Sequence, residues 1–211
     1  MHTVPLLFGI GLMAGCAAFA SLTQAQTVDT VTGTVQASRN GREIAVAASF
    51  EIAPQDELRT SAGSEAIIRF PGNGRLLLRE DSRVEFNRGP ARGQTLRGDL
   101  VRVMKGQVRY ASFETASATI GIRGTDIEIA ITDGSVGTDP AGTYLRVRQG
   151  FALLRATDGS EVELRAGETG TSGEPPLVSR GLGGARPPAA RVAAQTSPDL
   201  FKPGRLDAAF R

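Results

Sequence analysis

From residue 31 to residue 170 the sequence is a series of short segments in which apolar and polar residues alternate. In the clearest of them, 126–131, Ile127, Ile129 and Ile131 fall on one face, because successive side chains of a strand point to opposite sides. The region never keeps a period of 3.6 residues over about twelve residues, so little helix is expected. Short strands at this spacing predict an all-β fold, either a short-strand sandwich or a solenoid-like β stack.

Turn signals that contain glycine separate the predicted strands. Asn-Gly and Asp-Gly accept the positive φ values that tight hairpins require. The clearest signals are Asn40-Gly41, Asp133-Gly134, Gln149-Gly150, Asp158-Gly159 and Ala166-Gly167. A region of about 140 residues organised in this way can bury a useful core. We therefore expect one all-β domain over residues 26–170.

The composition changes after Gly170. Residues 171–211 are rich in Gly, Pro, Ala and Arg, as in 173–176 (Gly-Glu-Pro-Pro). Such a stretch buries too little apolar surface to offset the entropy lost on ordering, so it is predicted to be a disordered C-terminal tail. The last six residues, 206–211, could dock or form a helical turn, but they are too few to carry a prediction.

The N-terminal 25 residues are apolar and precede the first charged residue, Asp29. An apolar run followed by Thr23-Gln24-Ala25 is typical of a signal peptide, with cleavage before Gln26. Two alternatives remain open. The run could stay as an uncleaved anchor, or residues 12–16 could be a lipoprotein box that leads to lipidation of Cys16. All three interpretations export the chain, so we expect a periplasmic or otherwise extracytoplasmic protein that meets a membrane only through this leader or a lipid.

The sequence excludes most catalytic and metal chemistry from the exported part. The single histidine, His2, and the single cysteine, Cys16, both lie in the leader. Without imidazole or thiol there is no Ser-His-Asp or Cys-His catalysis, and no His or Cys zinc, haem or iron–sulfur site. Among the carboxylates, Asp126 and Glu128 share one strand face and are interpreted as a solvated surface. We therefore expect no enzyme, no catalytic residue, no metal and no cofactor.

The segment 115–129, Thr-Ala-Ser-Ala-Thr-Ile-Gly-Ile-Arg-Gly-Thr-Asp-Ile-Glu-Ile, resembles the signature of the FecR-domain family. Further segments resemble other family motifs in the same order, so that the resemblance covers roughly 31–170. They are 56–70, 74–86, 105–109, 147–154 and 166–168. The resemblance implies an extracytoplasmic domain of a signalling system.

The family's namesake carries a cytoplasmic anti-sigma segment, a membrane span and a small domain that meets an outer-membrane receptor. Only about 25 residues precede the expected exported part here, and a predicted tail stands where that small domain would lie. We therefore expect a short exported FecR-domain protein that lacks both the anti-sigma segment and the receptor-contacting domain.

Within the signature, the candidate site is formed by Gly121, Arg123, Gly124, Thr125 and Asp126. The pattern is interpreted as a strand–turn–strand unit whose glycines permit close approach or positive φ. Two roles stay open for Arg123. It could pair internally, with Asp126 or a carboxylate on a neighbouring strand, or its planar fork could contact a ligand or partner.

Charge is unevenly distributed. Residues 59–123 hold 12 basic residues against six acidic ones, a net charge of +6. This block could attract an anionic cell-surface polymer, or its arginines could only protect strand edges and keep the protein soluble. Nucleic acid is not an expected partner, because the basic block lacks interleaved aromatic residues.

Together these observations predict a non-enzymatic extracytoplasmic binding or signalling module of the bacterial cell envelope. Its partner would be an envelope protein or an anionic surface polymer, reached through a strand edge or the basic block. The alternative is a structural envelope component held by a lipid or by its leader.

Overall fold

The computed structural model describes residues 26–70, 74–86, 94–98, 100–104, 111–173 and 188–209. In 94–98, 100–104, 111 and 123–125 only the backbone is described. The predicted leader with Cys16 and the part of the predicted tail at 174–187 lie outside the described residues. Within those residues, no helix has the length and apolar character needed to cross a membrane.

The described residues form a 16-stranded sheet and two short 3-10 helices, which confirms the all-β prediction. The strands are β1 (Gln26–Thr32), β2 (Val35–Arg39), β3 (Arg42–Ala45), β4 (Glu51–Ile52), β5 (Glu57–Thr60), β6 (Glu65–Arg69), β7 (Arg75–Leu78), β8 (Ser82–Glu85), β9 (Gln94–Gly98), β10 (Leu100–Met104), β11 (Ala111–Glu114), β12 (Ala118–Thr132), β13 (Gly142–Ala156), β14 (Glu161–Arg165), β15 (Thr169–Thr171) and β16 (Arg191–Val192). The 3-10 helices are Pro198–Phe201 and Arg205–Asp207.

The long hairpin of β12 and β13 joins two halves of this sheet. Residues 119–122 of β12 pair with β11, whereas residues 127–130 pair with β10. The first half continues from β11 through β9, β8, β5 and β2 to β3, and the second from β10 through β7, β6 and β1 to β4. On its other edge β12 pairs with β13, which then pairs with β14 in the first half and β15 in the second.

One hydrophobic core lies between the two halves. Leu58 and Val84 come from the first half, Ile68, Leu76 and Leu78 from the second, and all five are buried in the same cluster. Side chains from both halves meet there, so the sheet is folded over on itself as a sandwich. The strand pairs within the described residues are antiparallel except for β9 with β11, a pattern typical of a sandwich and not of a solenoid.

The turn between β2 and β3 shows how local sequence sets strand pairing. Asn40 and Gly41 have φ values of 51° and 76°, the left-handed geometry of a two-residue hairpin turn. Arg39 and Arg42 are the paired residues on either side of it. The prediction from the Asn-Gly dipeptide is therefore confirmed.

The C-terminal segment, defined as residues 188–209, packs against the outer face of the second half of the sheet. Leu200 and Phe201 are buried against Ala130 and Tyr144. Leu206 packs against the buried pair Ile67 and Leu77. The prediction of a disordered tail over 171–211 therefore needs correction for this segment. Its average composition is poor in apolar residues, but it needs no core of its own because its few apolar side chains use an apolar face that the sheet already has.

Candidate functional site

The signature segment lies at the junction of the two sheet halves, in the middle of β12. Ile120 and Ile122 point into the core, and Ile127 and Ile129 do so again further along the strand. Between them the register with β13 shifts, first between Arg123 and Asp126 and then between Asp126 and Ile127. Such a shift is a β-bulge, which bends a strand and lets it change neighbours. The predicted strand–turn–strand unit is thus one continuous bulged strand, because both of its parts keep pairing with β13.

The predicted site residues follow this bend in order. Gly121 lies on the face opposite the core, and a Cβ added there would meet Leu153 Cβ at an ordinary 3.8 Å, so close approach does not require this glycine. Asp126 is partly exposed and lies at the register shift opposite Gln149. The side chains of Arg123, Gly124 and Thr125 lie outside the described residues. Whether Arg123 pairs internally or contacts a partner stays a prediction.

Glu128 does not lie on a solvated strand face, as the sequence predicted. Its side chain is 1% exposed. The face it shares with Ala130 carries the C-terminal segment, which the alternation of β12 alone does not reveal. This expectation is therefore corrected.

An exposed apolar pair lies beside the signature, on β13. Phe151 and Leu153 are 42% and 37% exposed and point to the same side of the strand, since Ala152 and Leu154 between and after them are buried. Leu153 lies opposite Gly121 of the signature. We call the surface formed by Gly121, Phe151, Leu153 and their β14 neighbours Glu163 and Arg165 the Phe151 face.

An open strand edge borders the Phe151 face. Among the described strands, β14 pairs with β13 alone, so its other edge is open to a further strand, except that the Arg165 N–H already donates to Glu168 at 2.7 Å. Its charged residues Glu161, Glu163 and Arg165 are exposed, and Arg155 of β13 forms an ion pair with Glu161. An apolar surface with a charged rim and a free edge is suited to contact with another polypeptide.

A second cluster of polar groups is buried between the sheet and the C-terminal segment. Arg79, which directly follows β7 and whose side chain is 3% exposed, donates from Nε and Nη2 to the two Asp207 oxygens at 2.9 and 2.6 Å. Arg79 Nη2 also donates to Glu128 Oε1 at 3.3 Å. Arg146 and Arg148 donate to the same Glu128 carboxylate, at 2.5 and 3.2 Å. Paired forks of this kind position groups firmly, and here they fix the segment to the sheet.

The C-terminal segment makes two further polar attachments. Glu65 accepts the backbone N–H groups of Arg205 and Leu206 at 2.7 and 2.6 Å. A Cβ added to Gly204 would lie 2.0 Å from Glu65 Oε1, so a side chain at residue 204 would force this carboxylate to move. A groove of about 390 Å³ opens beside these contacts, with Arg79 and Thr132 among the residues that line it.

Two ionisable groups have displaced pKa values for clear physical reasons. Burial raises the pKa of Tyr144, whose hydroxyl donates to the Pro140 carbonyl at 2.6 Å. The hydrogen bonds from Arg39 to the fully buried Asp56 raise the pKa of that guanidinium. Neither displacement places a titrating group near neutral pH, so neither indicates acid–base catalysis.

A group of hydroxyls at the end of the β12–β13 hairpin has a structural role. Thr143 Oγ1 lies 2.7 Å from Thr115 Oγ1 and 2.8 Å from Ser117 Oγ, which in turn contacts Ser172 Oγ at 2.8 Å. Each oxygen is held by another hydroxyl, and a nucleophile needs a base within hydrogen-bond reach. Across the ranges that the structure describes, three or more His, Cys, Asp or Glu residues never gather as a metal site would require.

The described part of the basic block is largely occupied internally. Arg59 and Arg83 both pair with Glu57, and Arg69 pairs with Asp29. Arg75 donates to the Ala209 carbonyl at 3.1 Å. Contact with an anionic polymer therefore stays a prediction, and the Phe151 face, which the sequence analysis did not single out, is the stronger candidate surface.

A family model agrees with the sequence resemblance. Residues 56–151 match the family model described as FecR protein. Two crystal structures of a protein from Parabacteroides distasonis ATCC 8503, described as a "putative anti-sigma factor", match with a TM-score of 0.46 and 12% identity, over 56% of this chain and 54% of that chain. The chain thus spans about half the length of the solved structures it matches. No curated protein matches the sequence.

Proposed function

Residues 56–151 are a FecR domain, and on that premise we propose that the chain is an exported, non-enzymatic binding module of the bacterial cell envelope. FecR domains belong to signalling-related envelope proteins, which are regulatory and not catalytic. The module would dock a protein partner through the Phe151 face. The alternative, a structural envelope component held by a lipid or by the leader, is distinguished by the capture experiment below.

The observation that carries this proposal is the exposed pair Phe151 and Leu153 beside the signature strand. Exposed large apolar side chains that adjoin one another are a common mark of protein contact sites. Both residues lie inside or next to the FecR match, whose last residue is Phe151. The pairing of Gly121 with Leu153 supports the proposal, because it puts this surface next to the signature segment.

The free edge of β14 supports a polypeptide partner over a polymer. A partner strand added to β14 would gain main-chain hydrogen bonds, while Phe151 and Leu153 would supply apolar contact on the adjacent surface. The exposed Glu163 and Arg165 would form a polar rim around that contact. A polysaccharide could not pair with the backbone of β14 as a partner strand would, and it would bury less of Phe151 and Leu153.

The test is crosslinked capture from the native envelope fraction with the full chain and two variants. Leu153→Asp places a charge in the middle of the proposed contact. Val192→Asp makes a comparable change at a 50% exposed apolar residue on β16, outside the Phe151 face. We expect the Leu153→Asp variant to capture its partner roughly tenfold less well, the scale of a central interface residue, and the Val192→Asp variant to behave as wild type.

Two results would contradict the proposal. One is equal capture by the wild-type protein and the Leu153→Asp variant, with circular dichroism showing both folded. The other is capture of cell-wall material in place of a protein, which would favour the structural envelope role.

A further inference from the structure

The C-terminal segment covers one face of the sheet without being part of the sandwich core. Its apolar residues Leu200 and Phe201 belong to a cluster separate from the main core, and Leu206 belongs to a third. These contacts join residues that are far apart in sequence, as in the pair Arg79 and Asp207. The segment therefore sits on the face in the manner of a bound peptide.

The face offers three recognition elements to this peptide. Arg79 presents a fork of two N–H groups that holds the Asp207 carboxylate. Glu65 accepts two consecutive backbone N–H groups, a contact independent of side-chain identity. The Arg146 guanidinium lies 4.2 Å from the centroid of the Phe201 ring, a cation–π contact. The same ring is buried with Ala130 and Tyr144.

Two of these elements, Arg79 and Arg146, are also held by Glu128 of β12, outside the segment. Glu128 holds Arg79 from one side and is itself held by Arg146 and Arg148. Without Asp207, three guanidinium groups would face the single carboxylate of Glu128, so the face would carry excess positive charge and an open fork. Arg79 Nη1 is buried and has no acceptor among the described residues, so the bound segment does not saturate this donor. A peptide that brings one well-placed carboxylate to this fork is the ligand that such a face recognises.

We propose that this face is a peptide-binding surface and that residues 198–209 occupy it as a tethered ligand. Its second occupant is a segment of a partner protein with the same chemistry: two adjacent apolar residues, the second aromatic, followed six residues later by an aspartate, as in Leu200, Phe201 and Asp207. The tether gives the chain's own segment an effective concentration on the order of millimolar, so it keeps weak competitors out. This surface lies on the second half of the sheet and is independent of the Phe151 face.

The experiment uses the full chain with a protease recognition sequence in place of residues 178–184. Cleavage cuts the chain before the C-terminal segment and leaves all the described residues present in the two parts. A fluorescein-labelled synthetic peptide of residues 188–211 is then added, and its binding is followed by fluorescence anisotropy. We expect saturable binding to the cleaved protein and at least roughly tenfold weaker binding to the uncleaved protein, where the tethered segment competes.

Peptide variants test the recognition chemistry. The peptide with Asp207→Asn loses a bond to a charged group, so its binding should weaken roughly tenfold or more. A peptide of the same composition in scrambled order should not bind. If the scrambled or Asp207→Asn peptide binds as well as the native one, the proposal is overturned.

A second measurement keeps the proposal testable if the cleaved protein loses its fold. Asp207→Asn in the uncleaved full chain weakens the tethered competitor, so the native peptide should bind this variant roughly tenfold better than wild type. No gain in binding would overturn the proposal. If the C-terminal segment of one wild-type copy binds the face of a differently tagged copy, the proposal is also overturned, because the second occupant is then another copy of this chain.

Discussion

Replacing Asp207 by alanine perturbs the contact on which the docking of the C-terminal segment depends most. Asp207 accepts three hydrogen bonds, two from Arg79 and one at 2.6 Å from the Gly204 backbone N–H. Removing one partner of a buried ion pair costs about 3–5 kcal/mol, because the other charge stays buried. The cost of leaving Arg79 unpaired cannot exceed the free energy of docking, because the segment can dissociate from the sheet and let water reach Arg79. We therefore expect a loss near the low end, about 3 kcal/mol, or roughly two decades in the docking equilibrium.

The loss is local, so the assay must be local too. Native-state hydrogen exchange at the Arg205 and Leu206 amides reports docking, because both bond to Glu65 and not to Asp207. Their exchange should accelerate roughly a hundredfold in Asp207→Ala, while the amides of Ile127 and Ile129 in the core strand should keep their protection. Urea unfolding of the sandwich should then change much less than docking does.

Asp199 supplies the matched control on the same segment. It forms an ion pair with Lys202, but the two side chains are 58% and 71% exposed. Exposed pairs contribute about 0.2–1 kcal/mol, so Asp199→Ala should change exchange at Arg205 and Leu206 only slightly. If Asp207→Ala and Asp199→Ala have equal effects, the buried pair does not hold the segment and the reasoning fails.

Three further substitutions test other parts of the account. Gly204→Ala should weaken docking by about 1–3 kcal/mol, because its Cβ would push the Glu65 carboxylate away from the Arg205 and Leu206 amides. Gly134→Ala, with open space around it, should stay within about 0.5 kcal/mol, and equal hydrogen exchange at the Arg205 and Leu206 amides in the two variants would contradict this. Because the pKa of Tyr144 is raised in the folded protein, the unfolded tyrosine ionises above about pH 10 while the folded one stays protonated. The free energy of unfolding should therefore fall as pH rises past that value. In urea titrations between about pH 9 and 11, the free energy of unfolding of Tyr144→Phe should fall less than that of the wild type. Asp56→Asn should cost about 2–4 kcal/mol in thermal unfolding, since Asp56 accepts bonds from Arg39 and the Ala53 amide; a change below about 0.5 kcal/mol would mean that these contacts are not stabilising.

The sequence predicted the features that local chemistry decides. Alternation placed Ile127 and Ile129 on one buried face, and Asn40-Gly41 marked a tight hairpin turn. Both follow from the backbone geometry of a few consecutive residues, which does not depend on the rest of the chain.

The features that depend on distant parts of the chain were not predictable in this way. Glu128 alternates with buried isoleucines and so resembles a solvated residue, but residues some eighty positions later cover it. The C-terminal segment has the composition of a disordered tail, yet Phe201 and Asp207 each find a specific partner on the sheet. Average composition carries no information about such individual contacts.

The candidate surface was only half visible in the sequence. Gly121 belongs to the signature segment, whereas the sequence does not mark Phe151 and Leu153 as surface residues. They alternate with Ala152 and Leu154, so the strand is apolar on both sides, which is typical of a fully buried strand. Only the structure shows that the side with Phe151 and Leu153 is left exposed by the part of the chain that it describes.

Contact between the Phe151 face and a protein partner of the cell envelope is tested most directly by a photo-crosslinking amino acid in place of Phe151. The full chain is expressed in its native host, and the same replacement at Val192 is the matched control. Illumination should give one dominant protein adduct from position 151 and none of that mass from position 192. The absence of a protein adduct at position 151, or the same adducts at both positions, would contradict the claim.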